Sequence, residues 1–200
     1  MKKLSRRLLL QYGAGAIIGF LLPSRVIALS ENHAKRLIEN VASDINTIIN
    51  SGKSGAALTG DVEKLFKRYA DLDIIAKTTL GRDSRRASSA QLRAFSRAFS
   101  GYMARKYSKV FREFEGGRIE IEGIRRVKSW HEVKTGVYLR GRSKIQVLFL
   151  VSDKSGKDLF FDMIIEGISL RLTERTEITA MLERRKGDIN ALTEDLKKAG

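Results

Sequence analysis

Apolar residues recur at helical spacing through the first half of the chain and alternate with polar ones through much of the second. From Glu31 to Ile49, the residues Ala34, Leu37, Ile38, Val41, Ile45, Ile48 and Ile49 fall on one helical face, and Asn50-Ser51-Gly52 supplies the stop. A second helical run carries Val62, Leu65, Phe66, Tyr69 and Leu72 with Asp61 as its expected cap. Asp73 is the expected cap of a third, around Ile74, Ile75 and Leu80. Ser88-Ser89-Ala90-Gln91 has the form of a capping box, Ser88 bonding forward and Gln91 bonding back. The long helix it opens runs to about Phe114, with Leu92, Phe95, Phe99, Tyr102, Met103, Tyr107, Val110 and Phe114 along one side.

Gly116-Gly117 ends this half, and the period changes to two. Ile119, Ile121 and Val127 suggest a strand bent at Gly123, followed by an alternating run through Val137 and Leu139. Lys144 to Val151 reads as a strong strand, with Ile145, Val147, Phe149 and Val151 on one face and Leu148 and Leu150 on the other. The turn-rich Ser152 to Lys157 joins it in a hairpin to a fourth strand, Asp158 to Leu170. On strict alternation Leu159, Phe161, Met163 and Ile165 share a face of that strand. Asp162 and Glu166 suit a solvated opposite face, but Phe160 and Ile164 do not, so both faces call for cover. Helices around Thr176 to Arg184 and Asp188 to Lys197 close the chain, with Gly187-Asp188 as stop and cap. Helices, then about four antiparallel strands, then helices predict an α+β domain whose curved sheet holds the long helix in its concavity.

Composition narrows the chemistry. With 42% apolar and 30% charged residues the chain suits one packed core rather than disorder. It has no cysteine, which removes disulfides, thiolate metal sites, cysteine nucleophiles and cysteine-linked lipid anchors. His33 and His131 alone are too few for an ordinary zinc or His-carboxylate iron site, so no metal is expected. Five of the 38 bases lie in residues 1–30 without an acid, leaving 33 against 23 acids, a surplus of +10. That excess favours an anionic partner, and Arg82, Arg85 and Arg86 form a candidate anion patch beside the simpler reading of a solvated loop.

The first 30 residues read as an export signal: Lys2, Lys3, Arg6 and Arg7, then an apolar run from Leu8 to Leu22, then small-residue cleavage sites. The cut falls after Val26-Ile27-Ala28 or after Ala28-Leu29-Ser30. The apolar run is short of the about 20 residues that a membrane span needs. Ser5-Arg6-Arg7-Leu8-Leu9-Leu10 is similar to a twin-arginine signal, with leucine where phenylalanine is usual, and the residues leave the export route open. Residues 31–200 are then a single domain, and an exported basic protein makes nucleic acid an improbable partner.

No catalytic constellation stands out. There is no nucleophile elbow, His-pair metal motif or triad, and Tyr102 with Asp162 is only a weak candidate for an acid–base pair. Gly52-Lys53-Ser54 resembles the tail of a phosphate loop, but Thr47 stands where glycine is required and a helix precedes it. What the pattern does offer is a slot between sheet and helices, walled by Phe149, Phe161, Met163 and the aromatic helix stripe. Flat rings and flexible methionine suit mobile methylene chains. From periodicity alone a filled core is the safer account.

Longer motifs carry a resemblance. Tyr69-Ala70-Asp71-Leu72-Asp73-Ile74-Ile75-Ala76, Leu80-Gly81-Arg82, Ser88 to Phe99, Tyr107, Ile165-Glu166-Gly167-Ile168-Ser169-Leu170 and Gly187-Asp188-Ile189 with Leu192 and Leu196 resemble the MlaC, or toluene-tolerance auxiliary, family. It covers roughly Val62 to Leu196, and departs at Ser84-Arg85 and Thr173-Glu174-Arg175. The resemblance implies an NTF2-like, MlaC-type fold around an apolar cavity and a periplasmic phospholipid carrier without enzymatic activity or cofactor, its lipid being cargo. It further implies lipid exchange with an outer-membrane lipoprotein–porin complex and an inner-membrane ABC transporter bearing an MCE-domain subunit, maintaining outer-membrane lipid asymmetry. The expected lipid-contacting residues are Phe95, Phe99, Tyr102, Met103, Tyr107, Val147, Phe149, Phe161, Met163, Ile165 and Ile168, the last because the apolar residue after the Glu-Gly faces the pocket in that family. The alternative is an exported protein-interaction domain with a filled core and no lipid.

Overall fold

The computed structural model describes residues 29–200; the expected export signal lies outside them except for Leu29 and Ser30. Among the described residues, helices, strands and helices follow one another in the order the sequence pattern predicts, with five strands where about four were expected: helices α1 (Glu31–Ile49), α2 (Gly55–Tyr69), α3 (Leu72–Leu80) and α4 (Ser89–Phe111), then strands β1 (Arg118–Val127), β2 (Trp130–Tyr138), β3 (Ile145–Ser152), β4 (Leu159–Ile165) and β5 (Ile168–Ser169), then helices α5 (Leu170–Arg184) and α6 (Ile189–Lys198). The strands lie in sequence order, each antiparallel to the next.

Local chemistry sets the helix boundaries. The Ser88–Gln91 capping box forms in both directions, at 3.2 and 2.9 Å. Ser30 opens α1 by accepting from the His33 N–H, and Asp188 opens α6 by accepting from Asn190 and Ala191. Two expected caps are displaced. Helix α2 begins at Gly55, so Asp61 lies inside it and pairs with Lys53 and Lys64 at 2.7 and 3.3 Å. Asp71, not Asp73, caps α3 by accepting from the Ile74 N–H, while Asp73 accepts from the Ser96 hydroxyl. At α3 the two acids Asp71 and Asp73 are equivalent candidates that local sequence cannot rank, whereas Ser54 at the start of α2 makes no side-chain cap bond.

Helix α4 is the axis. At 23 residues it is about 35 Å long, and it packs against α2, α3 and α6. Helix α1 lies over β1, β2 and β3, and α5 packs on α3 and β4. The parallel bridge between Ala70 and Phe160, with the Asp71 N–H donating to the Phe160 carbonyl at 2.8 Å, fastens the α2–α3 junction to the sheet.

The stretch 158–170, read as one strand, is three elements. Glu166 and Gly167 both have positive φ, 48° and 82°, as a two-residue type I′ hairpin turn requires. The chain then returns as β5 beside β4 and enters α5 at Leu170, six residues before the expected Thr176. Asp162 is buried rather than solvated. Its carboxylate accepts from the Ser169 hydroxyl at 2.6 Å and the Arg171 N–H at 3.0 Å, and pairs with the Arg171 guanidinium at 3.4 Å, locking the hairpin to the start of α5.

Candidate functional site

A register shift in the β3–β4 ladder decides which residues meet the helices. Leu150 pairs with Asp162 and Val151 with Phe160, leaving Phe161 as the extra residue of a β-bulge. The bulge reverses the phase of alternation along β4. Phe160, Met163 and Ile165 therefore share the inner face, and Phe161 turns outward, edge-on to Trp130 at 6.2 Å with the Arg171 guanidinium 5.5 Å over its ring. The expectation that Phe161 joins Met163 and Ile165 is thus corrected by one inserted residue.

The inner face, Ile119, Val137, Val147 and Phe149 with Phe160, Met163 and Ile165, forms one wall of an apolar cavity of about 130 Å³. The opposite wall comes from Val41, Ile45 and Ile49 of α1, Leu65 and Phe66 of α2, and Tyr107, Val110 and Phe111 of α4, with Phe114 and Leu170 completing it. Perpendicular ring pairs frame it: Phe149 with Phe160 at 5.6 Å, and Phe66 with Tyr107 at 6.4 Å. Val110 and Ile165, each 38% exposed, stand at its mouth. A wider open groove between α1 and β1 is rimmed by Lys35, Glu39 and Glu120 instead.

The polar atom carried by this lining, the Tyr107 hydroxyl, donates to Glu174 at 2.5 Å. Glu174 is fully buried, and Lys106 donates both to it at 2.8 Å and to Glu177 at 2.5 Å. Burial first, and Glu174 second, hold the Tyr107 phenol well above its ordinary range. Burial opposes the charge on Lys106, but its bonds to Glu174 and Glu177 outweigh that and raise it. Every side chain facing the cavity is therefore hydrocarbon, the Met163 thioether, or a neutral phenol whose hydrogen is already committed. Such a surface makes no hydrogen-bonding demand on an occupant and offers contact to apolar chains.

Of the eleven residues expected here, Tyr107, Val147, Phe149, Met163 and Ile165 line the cavity. Phe95, Phe99, Tyr102 and Met103 do not; they are enclosed in the shared core. One stripe serves two purposes: its first turns are packed into the core, and Tyr107, Val110 and Phe111 near its end line the cavity. Ile168 pairs with Ile165 across the hairpin but is 67% exposed, outside the lining. The expectation missed the contribution of α1 and α2, whose apolar stripes were visible but gave no sign of which helix faces the sheet. It also missed Phe160, for which two adjacent phenylalanines were the available hint. Tyr102 and Asp162 have separate partners and form no pair, Tyr102 bonding with Lys106. Arg82, Arg85 and Arg86 lie exposed on the 3-10 turn after α3. Among the described residues no group of acids and histidines could hold a metal ion, and no helix is long and apolar enough to cross a membrane.

A family model described as MlaC protein matches residues 39–198. The chain belongs to the MlaC family. Its fold is also similar to the solved structure of a phospholipid-binding protein from Ralstonia solanacearum in complex with a phospholipid, with a TM-score of 0.67 and 17% identity over 82% of this chain and 95% of that one. The comparison with curated proteins found no match. The cavity-forming segments from Val41 through Leu170 all fall inside the range that the MlaC model matches.

Proposed function

We propose that this protein is a periplasmic phospholipid carrier, the soluble component of an Mla-type ABC transport system that moves lipid between inner and outer membranes and maintains outer-membrane lipid asymmetry. The observation that carries the reading is the cavity between α1, α4 and the sheet, apolar throughout and opening past Val110 and Ile165. Membership of the MlaC family and likeness to a protein solved with a phospholipid support it. The carrier acts by shielding rather than by catalysis. Each methylene it covers contributes about 0.8 kcal/mol, so roughly ten covered methylenes supply about 8 kcal/mol, without a hydrogen bond, against the entropy cost of association. The head group stays at the mouth, in water. The expected docking partners are an outer-membrane lipoprotein–porin complex and the MCE-domain subunit of an inner-membrane ABC transporter.

Native mass spectrometry of protein freshly recovered from a Gram-negative periplasm tests this, with lipid extraction alongside. One phospholipid per chain is the expected result. Repeated recovery of lipid-free protein that also takes up none from vesicles overturns it, in favour of an exported interaction domain.

A further inference from the structure

The two residues that precede α1 are built into the fold. Leu29 is only 8% exposed and belongs to the apolar core. Its N–H donates to the Asp153 carboxylate at 3.0 Å, across 124 positions of sequence, in the β3–β4 connection. Ser30 caps α1: its side chain accepts from the His33 N–H at 3.2 Å and its carbonyl from His33 and Ala34. His33 Nδ1 lies 3.4 Å from Asp158, on the far side of the same connection. The start of the described chain is thus fastened to one hairpin at two points, Leu29 and His33, with the Ser30 cap between them.

The sequence offers two cuts that satisfy small-residue recognition, after Ala28 and after Ser30. Their products differ physically. A chain beginning at Glu31 loses the buried Leu29 side chain and the Ser30 cap. It also places a new ammonium at the N-terminus of α1, where the helix dipole is already positive. A chain beginning at Leu29 keeps both features, and its new ammonium sits against the Asp153 carboxylate.

We propose that export proteolysis cuts between Ala28 and Leu29, and that the α-ammonium so created on Leu29 forms an ion pair with Asp153. The proposal rests on the export reading of the leader, not on the cargo. Water supplies the hydroxyl that completes the Ala28 carboxyl and the hydrogen that leaves Leu29 an amine. That amine takes up a further proton from solution, since free α-amines titrate near about 7.7–8.0. A bond from a neutral N–H to the carboxylate thereby becomes an ion pair between two charged groups, and proteolysis strengthens the anchor it exposes.

The full chain, expressed with its own leader in a Gram-negative host, is recovered from the periplasm and read by N-terminal sequencing and intact mass. Leu29 as first residue is expected. Glu31, or any other start, overturns this inference while leaving export intact; an uncut chain retained at the membrane overturns both. The ion pair is tested with Asp153→Asn in the mature protein, which is expected to lower Tm by about 3 °C at pH 6.5. The pair raises the amine's pKa, so its contribution is present below about pH 8 and fades as pH rises through the raised value. The Asp153→Asn deficit is therefore expected to shrink by pH 9.5. The same substitution in a chain begun by Met in front of Ala28, where Leu29 has only a neutral N–H, is expected to show a smaller deficit without that pH dependence. Equal, pH-independent deficits in the two chains overturn the ion pair.

Discussion

Ile165 stands half in the cavity and half in water, which makes it the residue best placed to separate binding from folding. Replacing it by glutamate leaves the carboxylate free to hydrate, so the fold is expected to survive with its far-UV circular dichroism unchanged. An acyl chain entering past Val110 would then have to dehydrate that charge. Ile165→Glu is expected to reduce retained phospholipid by at least about tenfold, or 1.4 kcal/mol, measured by lipid extraction from purified protein. Phe161→Ser, one bulge away on the opposite face, is expected to leave lipid content unchanged; equal losses in both variants would remove the face assignment. Phe160 and Phe161 also mark where sequence stopped being informative. Alternation is reliable only while the ladder is regular, and the bulge that swaps the two rings carries no glycine to announce it. Ile168 shows a second limit, since the Glu166-Gly167 turn was read as strand and with it the direction of the residue that follows.

At the scale of elements, α4 and α5 are joined by a polar knot centred on a buried carboxylate. Tyr107 and Lys106 both end on Glu174, which has no exposure to water, and Lys106 continues to Glu177. Removing the Tyr107 hydroxyl deletes a hydrogen bond to a buried charge, a loss of about 1.5–3 kcal/mol. Tyr107→Phe is thus expected to lower Tm at pH 7 by roughly 5 °C. The pH dependence has a definite sign. Tyr102 and Tyr107 are both held above 10, first by burial, so near pH 10 the unfolded chain releases phenolic protons that the folded chain keeps. Stability therefore falls as pH rises beyond about 10. The Tyr107→Phe variant, with one such phenol fewer, is expected to lose Tm less steeply between pH 10 and 11, and thermal melts across that interval check it. Periodicity revealed the helices themselves, because a long amphipathic stripe and a capping box are local signals. The knot was not legible, since Glu174 precedes the expected helix start at Thr176 and its burial depends on contacts that residues of α4 make with it across the fold.

The whole molecule was the most legible level: helices, strands and helices segregate along the chain, and that order alone led to an α+β domain with one curved sheet. How much room lies between sheet and helices was not legible, because periodicity reports which face is covered and not by what. The cavity of about 130 Å³ is well below the 300–1,000 Å³ usual for a site that buries most of a drug-sized ligand. A phospholipid tail therefore requires the walls to part. The sheet is held by long hydrogen-bonded ladders from β1 to β4, each interrupted by no more than one bulge, whereas the mouth is built from the end of α4 and the short β4–β5 hairpin. Opening is expected there rather than within the sheet. Hydrogen exchange on lipid-loaded and lipid-stripped protein tests this expectation. Loading is expected to slow exchange in residues 107–116 and 163–172 while β2 and β3 change little. It is also expected to raise Tm by about 5 °C or more at a hundredfold excess of lipid over its Kd, the effect of about 2.7 kcal/mol of linkage. Protection gained mainly in β2 and β3 would instead place the lipid's entry through the sheet.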